Sequence, residues 1–138
     1  MRDELGMKME LISRQLCLTQ HVGTKGILFG GQMLAWADIA ASLWSMKITR
    51  SDNLITVHMS DVDFLEPVRV GDIVEFYGEA YKVGHSSVTT RVLVRITDPR
   101  TELTKEAFKY TCVMVNIDRN LKSQPLPPDI QGRHWNME

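Results

Sequence analysis

Asp38 is the residue whose chemistry most needs a reason. It stands among Ala35, Ala37, Ala40 and Ala41. The spacing of Met33, Leu34, Ala37, Ala40, Ala41 and Trp44 by threes and fours predicts a helix there, apolar around nearly its whole circumference. A lone carboxylate buried in such a helix is costly unless it is paired or used. Used, it is a general base, or a nucleophile acting through an anhydride. Paired, it meets an arginine or a serine across an interface. Before it comes the pair Gly30-Gly31, at the predicted helix start, where backbone N–H groups lack intrahelical acceptors. Without side chains these glycines let a carbonyl oxygen approach closely, and the positive end of the helix dipole adds to the effect. Amides so placed suit acyl transfer, where losing one such donor typically costs about 2.7–4 kcal/mol of barrier. The plainer alternative is that the glycines only permit a tight turn against a sheet.

Seven residues separate Gly31 from Asp38, or roughly 10 Å along a helix axis at about 1.5 Å per residue. The two cannot serve one carbonyl from the same helix. If both are catalytic, the glycine end of one subunit must meet Asp38 of a neighbour. Two antiparallel helices would then build two equivalent sites in a twofold dimer.

The elements that must position these groups follow from periodicity. Alanines and an absence of proline predict one helix over residues 31–48, buried on most sides. Before it, residues 7–20 predict a first strand, and His21 to Gly26 a loop. After it, Ile55, Val57 and Met59, then Val62 and Phe64, predict a long strand with a β-bulge near Ser60-Asp61, where the apolar phase flips. Pro67 and Gly71-Asp72 turn the chain into a strand over residues 73–83. The alternation of Val88, Thr90, Val92, Val94 and Ile96 with Thr89, Arg91 and Arg95 predicts a half-exposed strand. Asp98-Pro99 leads to the last, over residues 104–117. Short connections make the sheet antiparallel, and five strands bury one long helix only by curling around it. The expected class is α+β: one domain over residues 1–138, a core of about residues 7–118, and an irregular tail over residues 119–138 with three prolines between Gln124 and Pro128.

Composition bounds the function. The chain has enough apolar residues for one ordinary core, and its formal net charge of −1 argues against nucleic acid or an anionic membrane as partner. Residues 1–10 mix charge signs without an apolar run, and no segment approaches the roughly 20 residues needed to span a bilayer. Cys17 and Cys112 lie in apolar contexts and read as buried, reduced thiols. A cytoplasmic protein is expected.

Three segments carry a resemblance: Gly26-Ile27-Leu28-Phe29-Gly30-Gly31 followed by Asp38; Asp63-Phe64-Leu65-Glu66-Pro67-Val68-Arg69-Val70-Gly71-Asp72; and Val83-Gly84-His85-Ser86-Ser87. In this order they resemble the hotdog-fold acyl-CoA thioesterases of the YciA and brain acyl-CoA hydrolase type, over about residues 13–127. The resemblance implies a hotdog fold, a five-stranded antiparallel sheet wrapped around one central helix. It implies hydrolysis of acyl-CoA to free acid and CoA, in active sites formed between subunits. Relatives assemble as tetramers or hexamers. It makes Asp38, Gly30 and Gly31 catalytic, and puts Gly23, Thr24, Phe29, Gly84, Ser86 and Ser87 against the substrate, with Ser86 and Ser87 lining the CoA channel. No cofactor is expected, coenzyme A being part of the substrate. One departure stands out. Many relatives carry an asparagine a few residues before the first motif glycine; here Gly23 falls at the matching position, leaving that role unfilled or taken by His21 or Thr24.

The remaining motifs read as structure. Gly84-His85-Ser86-Ser87-Val88 lacks the last glycine of a serine-hydrolase elbow and joins two strands. His58 reads as a hydrogen-bonded sheet residue, and Asp61 and Asp63 as a solvated edge. The four histidines are dispersed and no Cys/His cluster has zinc spacing. Lys82, Arg91, Lys109 and Lys122 are candidates for the CoA phosphates and equally ordinary surface charges. Two other functions compete: a non-catalytic acyl-CoA sensor, motivated by the missing asparagine, and a hotdog dehydratase, for which His21 sits too far before the glycines.

Overall fold

A computed structural model of the protein describes residues 8–137. Strand β1 (Glu10–Leu16) leads through a short 3₁₀ turn (Thr19–His21) into helix α1 (Gly30–Thr49), followed by β2 (Leu54–Phe64), β3 (Ile73–Val83), β4 (Ser87–Thr97), β5 (Thr104–Asn116) and β6 (His134–Trp135). The first strand is shorter than the sequence predicts. Met7 lies outside the described residues, and at the other end the His21 N–H donates to the Leu18 carbonyl at 3.0 Å, folding the chain out of the sheet. The helix is one residue longer than predicted at each end. Extended Phe29 (φ −61°, ψ 137°) precedes it, and Arg50, left-handed at φ 58°, ends it with its N–H on the Met46 carbonyl.

The strands run antiparallel in the order β1-β3-β4-β5-β2. Val74, Phe76, Val88, Val92, Val94, Phe108, Cys112 and Met114 on the sheet's concave face close on Met33, Trp36, Ala37, Ala40 and Ala41 of α1. The alanines let the helix sit close to the strands. Trp44 needs more room than a pleat provides, and Gly78 supplies it: a Cβ there would lie 2.3 Å from the indole. The predicted bulge is present, with Asp61 at φ 53° and a register shift between Ser60 and Asp63. A second shift falls between Thr56 and His58.

Two expectations change. The tail is not wholly irregular: β6 pairs with β3 at Tyr81 and Lys82, making six strands rather than five. β1 covers β3 only from Ile73 to Gly78, so the rest of that edge is free for β6, and two residues are too few to show a period. Leu126 and Ile130 bury the approach to it, and Trp135 packs against Trp44 and Tyr81 at 6.0 and 6.1 Å. Asn136 closes the end, its amide donating to the carbonyls of Lys8 (3.0 Å) and Glu79 (3.1 Å).

Nor is α1 buried on most sides within one chain. Ile39 and Leu43 are 58% and 47% exposed, Ala35 is exposed, and Asp38 is half-buried rather than buried. The sheet curls around only one side of the helix. Beside that open side, edge strand β2 exposes Ile55 and Val57. Among the described residues, no helix is long and apolar enough to cross a membrane.

Candidate active site

Asp38 projects from the middle of α1 toward the start of β2, where the Thr56 hydroxyl donates to its Oδ1 at 2.8 Å. Its Oδ2 has no hydrogen bond among the described residues. The backbone around it is braced: the Ser42 hydroxyl donates to the Asp38 carbonyl at 2.8 Å, and buried Tyr110 donates its hydroxyl to the Ala37 carbonyl at 3.0 Å. Beneath lies Cys112. Burial pushes its thiol up, and the negative charge of Asp38 pushes the same way against hydrogen bonds with Tyr110 and Thr56. Burial, with the charges of Cys112 and Asp38, raises the Tyr110 phenol as well. Both groups stay neutral beside the carboxylate. Cys17 and Cys112 are free and buried, as expected.

At the N-terminus of α1 the N–H groups of Gln32 and Met33 both turn to the Phe29 carbonyl, at 3.0 and 3.1 Å. Those of Gly30 and Gly31 have no backbone acceptor among the described residues. A Cβ on Gly30 would press on the Phe64 ring at 3.3 Å, whereas the space over Gly31 is open to 4 Å. The helix start is therefore open above Gly31, while the Phe64 ring covers Gly30. Beside Gly30 lies a hollow of about 210 Å³, lined chiefly by apolar side chains, among them Met33, Phe64, Val68 and Ala107. The glycines and Asp38 remain two turns apart on one helix, so a single chain does not assemble both around one carbonyl.

The other predicted substrate residues divide into two groups. Gly23, Thr24 and Phe29 lie in the loop that feeds α1. That loop is tight, with the Gly23 N–H on the Ile27 carbonyl at 3.1 Å. A Cβ on Gly23 would lie 3.1 and 3.2 Å from two atoms of the Phe29 ring, so an asparagine there would have to displace Phe29. Thr24 is exposed. His21 is held in place: its Nδ1 accepts the Leu18 N–H at 3.0 Å, and its ring meets Trp36 edge-on at 4.8 Å. Gly84 and Ser86 in the β3–β4 turn, with Ser87 at the start of β4, lie at the opposite end of the molecule. There the Asn116 N–H donates to the Ser86 carbonyl at 2.8 Å, and the Asn116 side chain takes the Ser51 hydroxyl beyond the end of α1. This turn and the glycine amides do not meet within one chain.

His58 is exposed, with no side-chain hydrogen bond among the described residues. Arg91 and Lys109 share a polar hollow on the outer sheet face with Asp61, Asp63 and Glu79, a poor setting for phosphate. Lys82 and Lys122 are exposed. Sequence reasoning missed Thr56. Its signal was its phase: it alternates with Leu54 on the inward side of β2, and an inward hydroxyl needs a partner.

Comparison with known proteins gives a consistent picture. A model of the thioesterase superfamily matches residues 25–103. The chain is 29% identical over 126 residues to the acyl-CoA thioester hydrolase YciA of Salmonella typhimurium, covering 89% of this chain and 92% of the relative. Among solved structures, a hexameric thioesterase from Yersinia pestis superposes with a TM-score of 0.79 at 30% identity, over 86% of this chain and 95% of the other. An acyl-CoA hydrolase from Staphylococcus aureus, solved with butyryl coenzyme A and coenzyme A, superposes with a TM-score of 0.76 at 25% identity, over 86% and 71%.

Proposed function

From the premise that the chain belongs to the thioesterase superfamily, we propose a reaction in which Asp38 and the amides of Gly30 and Gly31 act on one thioester from two subunits. The protein is an acyl-CoA thioester hydrolase, producing free acid and coenzyme A. The thioester carbonyl oxygen lies on the free amides at the start of α1. Asp38 of the neighbouring subunit takes a proton from water as the water oxygen bonds to the carbonyl carbon. Negative charge moves onto the carbonyl oxygen, where the amides and the helix dipole stabilise it. The intermediate then collapses, the C–S bond breaks, and the proton passes from Asp38 to the departing sulfur. Thr56 holds Oδ1, which leaves Oδ2 to work on water. No cofactor enters this scheme.

The observation that carries the reading is the pair of unsatisfied glycine amides on the same helix as a carboxylate too distant to share their substrate. It requires an oligomer, a homodimer at the least. The Yersinia pestis relative is a hexamer, and we extend that assembly to this chain, its six helices lying as three pairs. The open side of α1 and the exposed edge of β2 are the surfaces for the pairing. Two buried, unpaired cysteines fit a reducing compartment, and we place the protein in the cytoplasm.

Asp38→Asn tests this directly. The amide keeps the Thr56 hydrogen bond but cannot take a proton, so thiol release from an acyl-CoA panel should fall at least a hundredfold while the oligomer persists. Release at the wild-type rate would overturn the assignment.

A further inference from the structure

The hollow beside Gly30 grades from buried to exposed. Met33, Val68 and Ala107 at its inner end are 3%, 3% and 1% exposed, whereas Phe64 and Leu65 at its mouth are 59% and 46% exposed. The N–H groups of Leu65 and Glu66 both reach the Ala107 carbonyl, at 2.8 and 3.3 Å, so mouth and floor are one braced unit. Glu66 is the single carboxylate of the lining.

We infer that this hollow receives the acyl chain and sets its length, with Phe64 at the mouth and Ala107 on the floor as specificity-determining residues. The inference rests on the hydrolase reading above, because the Gly30 amide is what fixes the carbonyl at the entrance. From a carbonyl held there, one substituent must enter the hollow and the other must leave over Gly31. Apolar walls suit a hydrocarbon. They would leave the two amide groups of the pantetheine arm unpaired, at a cost hydrocarbon does not incur. The Glu66 carboxylate opposes the phosphates of CoA, which steers the nucleotide toward the open side at Gly31. Volume then sets the ceiling. At roughly 30 Å³ for each water-sized group, a hollow of about 210 Å³ holds about seven methylene-sized groups. Acyl chains of roughly six to eight carbons would fill it.

The test measures kcat/KM for straight-chain acyl-CoAs from acetyl to palmitoyl in the wild type, Phe64→Ala and Ala107→Leu. Burial of each added methylene should raise the wild-type value up to about fourfold, until the hollow fills near hexanoyl to octanoyl and longer chains gain nothing. Phe64→Ala opens the mouth and should move the optimum to longer chains. Ala107→Leu raises the floor and should lower the hexanoyl-to-acetyl ratio by about tenfold or more. If Ala107→Leu does not fold, Phe64→Ala, at an exposed position, decides alone. A flat profile through palmitoyl, or an optimum unmoved by the folded variants, overturns this inference and leaves the hydrolase reading intact. Absence of hydrolysis at every length sinks both.

Discussion

A hydroxyl on one oxygen of Asp38 decides which oxygen is left for water. The Thr56 bond at 2.8 Å fixes the carboxylate's rotation and leaves Oδ2 without a hydrogen bond among the described residues. A hydrogen bond to a charged group is worth about 1.5–3 kcal/mol, and about 1.4 kcal/mol is tenfold in rate. Thr56→Val should therefore lower kcat roughly tenfold or more with KM little changed, and Thr56→Ser should restore most of the loss. An equal fall with serine would show that Thr56 matters for packing and not for its hydroxyl. At this scale the sequence was informative where a residue contradicted its surroundings. Asp38 stood out against alanines and the glycine pair against a helix. Thr56 contradicts nothing locally: it lies 18 residues from Asp38, and only the return of β2 along the helix makes the two neighbours. Gly23 was visible as a missing asparagine, but the Phe29 ring that fills the space beside it was not.

Elements formed nearly where periodicity put them, because α1 and the long strands each bury a continuous apolar face. The bulge at Asp61 was readable for the same reason, as a break in phase. What could not be read is how two elements accommodate each other. Gly78 lies inside a strand, where a glycine weakens pairing, and its use appears only when Trp44 is set against it. Gly78→Ala should overpack that contact and cost about 1–3 kcal/mol, seen as a fall of several degrees in the calorimetric melting temperature. An unchanged melting temperature would mean that Trp44 moves aside freely. β6 escaped notice on other grounds. Its two residues pair only because β1 stops at Gly78, and its anchors are aromatic rings brought by distant parts of the chain.

For the molecule as a whole, the spacing of Gly31 and Asp38 required a second subunit before any surface was known. It did not say which surface. Ala35, Ile39 and Leu43 recur every fourth residue along the uncovered side of α1, next to Ile55 and Val57 of β2, and this is the face on which two helices can lie antiparallel. Leu43→Asp puts a charge on that face. It should yield a folded monomer by sedimentation with thioester hydrolysis lost, since Asp38 would have no partner's amides to face. A monomer with full turnover would contradict the shared site. The clasp of Asn136 on Lys8 and Glu79 has a different reach. It brings the two extremities of the described polypeptide within a hydrogen bond of each other, so the backbone is nearly a closed ring. The architecture then depends on which segments neighbour one another and hardly on where the ring is cut: a circularly permuted chain, joined across the clasp and reopened in the exposed bend between Asp98 and Leu103, would retain every ladder of the sheet.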